Sequence, residues 1–192
     1  MANISKNSPT DLRVAVAGLG AIGTKVAEAL DQGINGLVLS AVSVLNPEKH
    51  RSWLGKLTSK PAVLPIEALS DAADIVIECA PSKLMRSIVA PFVESGKTAV
   101  VLSAGALLDH EDLIELAKHN GGQIVVPTGA LIGLDAVTAA AVGQIQSVRM
   151  VTRKPILGLA GAPVIPASRE GGETVSRRFP IVAADRHRHA YM

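Results

Sequence analysis

The chain has 192 residues, of which 48% are hydrophobic, and its 19 basic and 17 acidic side chains leave a formal net charge of +2. That balance argues against nucleic acid or a membrane surface as a partner, and an aromatic content of 2% argues against base-stacking platforms. The single cysteine excludes a disulfide within the chain and fits a reducing compartment. Residues 1–11 lack the apolar centre of a signal peptide, and the apolar stretches fall short of the roughly 18 residues of a spanning helix. We therefore expect a globular protein of the cytoplasm.

Strand and helix patterns alternate along the chain from residue 12 to residue 126. Buried strands are predicted at 12–17, 37–45, 62–64, 74–81, 98–102 and 123–126. Helices are predicted at 21–30, 49–57, 66–73 and 82–95, and a further helix is predicted to start at Asp109, with Asp112 in a capping-box-like spacing. This alternation predicts an α/β fold with a doubly wound parallel sheet, the Rossmann arrangement, and right-handed connections.

A Gly-x-Gly-x-x-Gly segment stands between the first predicted strand and the first predicted helix. Gly18 would allow the tight turn out of the strand, Gly20 would let a pyrophosphate approach the backbone, and Gly23 would let the helix pack on the sheet. The helix N-terminus would then offer N–H groups to the phosphates. The candidate cofactor contacts of this turn are Gly18, Gly20, Ala21, Ile22 and Gly23. The alternative is a glycine-rich turn that binds no ligand.

The end of the second predicted strand bears on the choice between NAD and NADP. An acidic residue about 20 residues beyond the glycines usually binds the adenosine ribose of NAD, and no carboxylate stands at this strand tip. Asn46 is a candidate for the ribose hydroxyls, and it would not repel a phosphate. Lys49 and Arg51 could face a 2′-phosphate, or they could be ordinary solvated charges at a helix start. We therefore expect NAD or NADP, with NADP slightly favoured.

The predicted strand at 74–81 ends near the same crevice, because the carboxyl ends of parallel strands line the ligand site. Cys79 and Ala80 at this tip are therefore candidate cofactor contacts. A lone cysteine is more often a small buried hydrophobe than a nucleophile, and no partner histidine is identifiable nearby in the sequence.

Four segments, taken in order, resemble the L-aspartate dehydrogenase family, whose members are relatives of homoserine dehydrogenase. They are the glycine segment at 18–23, Ser-Ala-Gly-Ala-Leu at 103–107, Pro-Thr-Gly-Ala-Leu-Ile-Gly-Leu-Asp at 127–135 and Thr-Arg-Lys-Pro at 152–155. The resemblance implies NAD(P)-dependent oxidation of L-aspartate to iminoaspartate, which hydrolyses to oxaloacetate and ammonia or enters NAD biosynthesis. It also implies that Ala130 contacts the dinucleotide.

The chain departs from this family pattern after residue 163. No match is found for the asparagine that contacts the cofactor or for the surroundings of the catalytic histidine, so no catalytic residue is assigned. Residues 164–192 are basic and carry neither a helical nor a strand period, which suggests a premature end or a shifted reading frame. His187 and His189 form a His-x-His pair, but no further ligands at a suitable spacing accompany them, and we predict no metal site.

The predicted organisation is a polar leader at 1–11, a dinucleotide-binding domain at 12–126, the start of an incomplete α/β substrate or dimerisation domain at 127–163, and an irregular, mobile tail at 164–192. An uncovered apolar face on the incomplete domain would favour self-association, for which a homodimer is the simplest form. The leading functional hypothesis is an L-aspartate dehydrogenase with little or no activity in this chain alone. The alternatives are a non-catalytic dinucleotide-binding module and a related reductase acting on another small carbonyl or imine.

Overall fold

The computed structural model of the protein describes residues 11–129, 133–155 and 174–181. The chain divides into two compact units, residues 1–129 and residues 130–192. The domain limits drawn from the sequence pattern, 12–126 and 127–163, remain predictions. Among the described residues, no helix combines the length and the apolar character that crossing a bilayer requires.

A six-stranded parallel sheet forms the centre of the first unit. Its strands are β1 (Leu12–Ala17), β2 (Leu37–Ser43), β3 (Ala62–Val63), β4 (Ile75–Glu78), β5 (Thr98–Val101) and β6 (Gln123–Val125). The spatial order is β3-β2-β1-β4-β5-β6, so the direction of winding reverses between β1 and β4. All five pairings are parallel. The prediction of a doubly wound parallel sheet is confirmed.

Helices cover both faces of this sheet. They are α1 (Ala21–Gln32), α2 (Pro47–Leu54), α3 (Leu69–Ala72), α4 (Met85–Glu94) and α5 (Asp112–Asn120). Short 3₁₀ helices at Ile66–Ala68, Ser82–Leu84 and Ala104–Asp109 connect the other elements.

Two apolar cores lie on the two faces, because successive strand side chains point to opposite sides. On β1, Val14 and Val16 join the core with α1 and α2, whereas Ala15 and Ala17 join the core with α3, α4 and α5. Strands buried on both faces are continuous apolar runs, and this explains why these segments of the sequence show no alternation of polar and apolar residues.

Four helices of the first unit begin elsewhere than the sequence pattern predicted. The prediction that α5 starts at Asp109 with a capping box is wrong: this helix begins at Asp112, and Glu111 provides no side-chain cap. The preceding residues form a 3₁₀ helix that ends at Asp109, since the His110 N–H bonds to the Leu107 carbonyl three residues back. The helix α2 starts two residues earlier than predicted, at Pro47, because proline fits the first helical position. The helices α3 and α4 start three residues later than predicted, because the first residues of each predicted helix form a 3₁₀ helix instead.

The second unit contains α6 (Leu134–Ala140) and an antiparallel ribbon of β7 (Val148–Pro155) and β8 (Thr174–Ile181). The expectation that residues 164–192 contain no strand is therefore wrong for 174–181. This strand takes its backbone hydrogen bonds from β7, a distant partner, and a local sequence period does not reveal such pairing. Residues 164–173 and 182–192, with the prediction of mobility made for them, lie outside the described residues.

Candidate cofactor-binding site

The glycine turn lies between β1 and α1, where the strand order reverses. Gly18 has a φ of +98°, and a Cβ added to it would lie 2.7 Å from the carbonyl oxygen of Cys79. The Gly18 N–H also donates to the carbonyl oxygen of Ser43 at 2.8 Å, which ties the turn to the end of β2. The tight turn and the close approach to β4 therefore both require glycine at position 18.

The third glycine of the motif is also required by packing. A Cβ added at Gly23 would lie 1.8 Å from the carbonyl oxygen of Gly18 and 3.1 Å from the Cβ of Cys79. Contacts this short do not occur between real atoms, so the first turn of α1 could not sit against the turn with any other residue here.

The middle glycine is different, because the fold itself does not need it. Gly20 has a φ of −77°, which other residues adopt freely, and a Cβ added there would meet nothing within 4 Å. Neither backbone strain nor internal packing explains the glycine. Close approach of a phosphate group does explain it, since a side chain would fill that open space.

The N-terminus of α1 lies at this space, and no side chain of the helix caps its N–H groups or neutralises its partial charge. Gly20 is the N-cap and makes no side-chain hydrogen bond, and the first turn contains no acidic residue. The first N–H groups of a helix have no partner within the helix, and the aligned peptide dipoles place a partial positive charge at this end. Ala21 and Ile22 are the first residues of α1, and Ile22 is largely exposed. The arrangement fits an anion such as pyrophosphate.

The tip of β2 places Asn46 at the start of α2. Its side-chain oxygen accepts a hydrogen bond from the Lys49 N–H at 3.4 Å, so Asn46 is the helix N-cap. The nearest acidic side chain along the chain, Glu48, forms an exposed ion pair with Arg51 at 3.3 Å. Lys49 and Asn46 are both exposed. The tip therefore carries an uncharged amide, one basic side chain outside this ion pair and the ion pair itself, all of which solvent can reach.

The tip of β4 brings Cys79 and Ala80 against the glycine turn. The Cys79 N–H donates to the carbonyl oxygen of Ala17 at 2.8 Å, and the added Cβ of Gly18 would also lie 2.9 Å from the Cα of Ala80. Burial, with a smaller contribution from the charge of Glu78, raises the pKa of the Cys79 thiol to about 11. Cys79 is thus a protonated thiol near neutral pH and packs as a small side chain, which does not suit a nucleophile.

Sequence reasoning missed Glu78, the residue before Cys79. Its side chain is fully buried, and its carboxylate accepts hydrogen bonds from the N–H groups of Leu102 and Ser103 and from the Ser103 hydroxyl. The available signal was a single carboxylate at the end of an Ile-Val-Ile run, since charged residues are rarely buried without partners.

The structure therefore brings five of the predicted residues together at the carboxyl ends of β1 and β4: Gly18, Gly20, Gly23, Cys79 and Ala80. Asn46 lies three residues beyond Ser43, the β2 residue that binds this turn. Ala130, His187 and His189 lie outside the described residues. Within 11–129, 133–155 and 174–181, no group of three or more His, Cys, Asp or Glu side chains is arranged to hold a metal ion.

Residues 18–127 match the family described as the NAD-binding domain of homoserine dehydrogenase. The chain is 62% identical over 160 residues to an L-aspartate dehydrogenase of Bradyrhizobium diazoefficiens, an alignment that covers 83% of this chain and 57% of that protein. It is 35% identical over 175 residues to the L-aspartate dehydrogenase of Methanothermobacter thermautotrophicus, with 88% of this chain and 68% of that protein covered.

Solved structures with the same fold include a myo-inositol 2-dehydrogenase from Lactobacillus plantarum. The TM-score is 0.57 at 18% identity, and the match covers 78% of this chain and 48% of that one. At this identity the similarity concerns the fold alone. The chain spans little more than half the length of the Bradyrhizobium protein.

Proposed function

Because the chain belongs to the L-aspartate dehydrogenase family and carries a homoserine dehydrogenase-type NAD-binding domain, we propose that it acts in the NAD(P)-dependent oxidation of L-aspartate. The observation that carries the proposal is the glycine turn. Its first and third glycines are required by packing, whereas Gly20 borders open space in front of an uncapped helix N-terminus. A bound pyrophosphate would account for the lack of a side chain at position 20 and for the uncapped N-terminus of α1.

The residues proposed to hold the cofactor lie at the carboxyl ends of β1, β2 and β4. The turn from Gly18 to Gly23, with the N–H groups of Ala21 and Ile22, would bind the pyrophosphate. Asn46 at the tip of β2 would bind the adenosine ribose, and Cys79 and Ala80 would line the crevice at the switch between the halves. Ala130 is proposed as a further contact from the family resemblance alone.

The tip of β2 supports acceptance of both NAD and NADP. Asn46 can hydrogen-bond a ribose hydroxyl through its amide nitrogen while its oxygen caps α2. It carries no charge that would repel a 2′-phosphate, and Lys49 is exposed beside it. The ion pair between Arg51 and Glu48 leaves little net charge from those two residues.

L-aspartate is the proposed substrate because both relatives compared above are L-aspartate dehydrogenases by name. A bound nicotinamide would supply the acceptor for the hydride that leaves the α-carbon of L-aspartate. Loss of a proton from the nitrogen would complete the oxidation to iminoaspartate, and water would convert that product to oxaloacetate and ammonia. No described residue is proposed as the acid or base in this reaction.

The proposal extends to assembly and location. In the described part of the chain, the ribbon of β7 and β8 contains two strands, and a two-stranded ribbon is marginally stable by itself. Pairing with a second copy would complete such a sheet, so we propose a homodimer. A single cysteine, which is a free thiol, supports a place in the reducing cytoplasm.

Calorimetric titration of the purified chain with NADH and NADPH tests the cofactor site, and absorbance of reduced nicotinamide after adding L-aspartate with NAD⁺ or NADP⁺ tests the reaction. Binding with aspartate-dependent reduction, even at a rate far below that of the longer relatives, supports the dehydrogenase. Binding without reduction by aspartate favours a dinucleotide-binding module, or a reductase for another carbonyl or imine if a substrate panel gives turnover. Absence of binding by either cofactor would contradict the proposal.

A further inference from the structure

Glu78 is a carboxylate inside a parallel sheet. It ends β4, whose other residues are Ile75, Val76 and Ile77, and its side chain is fully buried. Removing a carboxylate from water is unfavourable unless hydrogen bonds or an opposite charge replace the lost hydration. The position therefore calls for an explanation beyond the packing of the strand.

Hydrogen bonds from one short segment provide this compensation. One carboxylate oxygen accepts the N–H groups of Leu102 at 3.2 Å and Ser103 at 2.9 Å, and the other accepts the Ser103 hydroxyl at 3.1 Å. No Lys or Arg of the described residues forms an ion pair with Glu78. Hydrogen bonds to an ionised acceptor are stronger than neutral ones, so the carboxylate fixes this segment firmly.

The segment held by Glu78 is the one that leaves the sheet at the carboxyl end of β5. Leu102 and Ser103 follow Val101, the last residue of that strand, and Ser103 precedes the 3₁₀ helix Ala104–Asp109. The same segment begins the Ser-Ala-Gly-Ala-Leu motif, none of whose residues is among the proposed cofactor contacts. The Ser103 hydroxyl now has a role, because it completes the set of donors around the carboxylate.

Glu78 is also adjacent to the phosphate-binding turn. The next residue, Cys79, contacts the glycine turn through its carbonyl oxygen. In this strand order a dinucleotide lies across the switch point, with its adenosine half on the β1–β2 side. The nicotinamide half then lies on the side of β4 and β5, where Leu102 and Ser103 are held.

We propose that Glu78 is a positioning residue for the nicotinamide half of the cofactor. It does not touch the cofactor; it fixes the backbone at the end of β5 so that this edge of the crevice is preformed for the ring. The inference rests on the proposed dinucleotide function and adds to it a residue that orders one half of the site. Preorganisation of this kind should strengthen binding of the nicotinamide half of the cofactor and leave binding of the adenosine half unchanged.

Calorimetric titrations with NADH and with ADP-ribose, which lacks the nicotinamide, separate the two halves. Glu78→Gln keeps the shape of the side chain but places an amide NH₂ among three donors. We expect it to weaken NADH binding by about tenfold and to leave ADP-ribose binding within about twofold. Ser103→Ala removes one donor and keeps both backbone bonds, so we expect a smaller loss in the same direction, and this variant carries the test if Glu78→Gln does not fold.

Asp74→Asn is the matched control. Asp74 is also a hydrogen-bonded carboxylate, but it lies at the amino end of β4, whereas Glu78 lies at the carboxyl end. We expect it to bind both ligands as the unchanged chain does. Equal loss of NADH and ADP-ribose, or no loss of either, in Glu78→Gln and Ser103→Ala would overturn the inference while the proposed function stands. An unchanged chain that binds ADP-ribose and NADH equally well would also overturn it. An unchanged chain that binds neither would overturn the proposed function itself, and the inference with it.

Discussion

Asp74 and Arg13 are joined by three hydrogen bonds at the amino ends of β4 and β1. The Asp74 carboxylate accepts the Arg13 backbone N–H at 2.9 Å and the guanidinium Nε and Nη2 at 3.1 and 2.7 Å. The side-chain bonds to Arg13 are the main cause that lowers the pKa of Asp74, and partial burial acts against them. The pair connects the amino ends of the two central strands, whereas the glycine turn lies at their carboxyl ends.

Asp74→Asn should therefore destabilise the fold in a pH-dependent way. A carboxyl whose folded pKa is depressed stabilises the protein above its ordinary pKa, and this stabilisation is lost as the pH falls through the folded pKa. Both side chains are partly exposed, so we expect a loss of only about 1 kcal/mol at pH 7. Urea unfolding followed by circular dichroism should show the difference at pH 7 and a much smaller one near pH 2.

Glu115→Gln serves as the control for this prediction, because Glu115 forms an exposed i,i+3 pair with Lys118. Such pairs contribute a few tenths of a kcal/mol. A stability difference between Asp74→Asn and the unchanged chain that stays constant from pH 7 to pH 2 would contradict the role of the Asp74 charge.

Gly20→Val should weaken cofactor binding strongly and leave the chain folded. An added side chain at this position meets nothing within 4 Å but occupies the space proposed for the pyrophosphate. We expect NADH affinity to fall more than tenfold, a loss above about 1.4 kcal/mol. The melting temperature should fall only slightly, because valine is a poorer N-cap residue than glycine but meets no neighbour. Gly23→Ala is the contrasting variant: its Cβ would collide with the Gly18 carbonyl, so we expect a clear loss of stability. A folded Gly20→Val protein with unchanged NADH affinity would refute the site.

Asn46→Asp should shift cofactor preference towards NAD. Aspartate caps a helix as well as asparagine does, so α2 should keep its start and the fold its stability. The new carboxylate would accept the ribose hydroxyls of NAD and repel the 2′-phosphate of NADP. Titrations with NADH and NADPH should show the NADPH affinity falling relative to that of NADH. If the ratio does not change, residue 46 does not lie at the ribose.

Cys79 should react slowly with thiol reagents. With a pKa of about 11, only about one thiol in a thousand is ionised at pH 8, whereas an ordinary cysteine would be about one quarter ionised. We expect iodoacetamide to modify the native chain at least about a hundredfold more slowly than the urea-unfolded chain, since the side chain is also half-buried. Cys79→Ala should retain NADH binding. Rapid labelling of the native protein at pH 8 would contradict this view of the thiol.

The sheet was predictable because its signals are local. Apolar runs, the glycines that end them and the helical spacing between them all lie within about 30 residues of one another, and βαβ connections then fix the winding. The glycine turn was predictable for the same reason. The motif also assigned the tight turn to Gly18 and the helix packing to Gly23, and the structure agrees with both. What the motif could not give is the identity of the neighbours that impose these requirements, which are the carbonyls of Cys79 and Gly18.

The features that the sequence pattern missed depend on distant partners. Glu78 can be buried because Leu102 and Ser103, just beyond the end of β5, donate hydrogen bonds to its carboxylate. A carboxylate by itself gives no indication of such donors. The strand Thr174–Ile181 exists through its pairing with Val148–Pro155. At Asp109 a local competition decided the outcome, because i→i+3 bonds formed a 3₁₀ helix where the capping pattern predicted an α-helix.

Catalysis by the 192-residue chain should be much weaker than its cofactor binding. The alignment with the Bradyrhizobium relative covers 57% of that protein, and no described residue here is proposed as an acid or base. General acid–base assistance typically contributes about 10²- to 10⁴-fold to a rate. We therefore expect the 192-residue chain and the full-length relative to bind NADH with comparable affinity, while aspartate-dependent reduction of NAD(P)⁺ by the shorter chain is at least about a hundredfold slower. Equal rates for the two proteins would show that the chain supplies its own acid and base groups, and substitution of His187 and His189 would then be the next experiment.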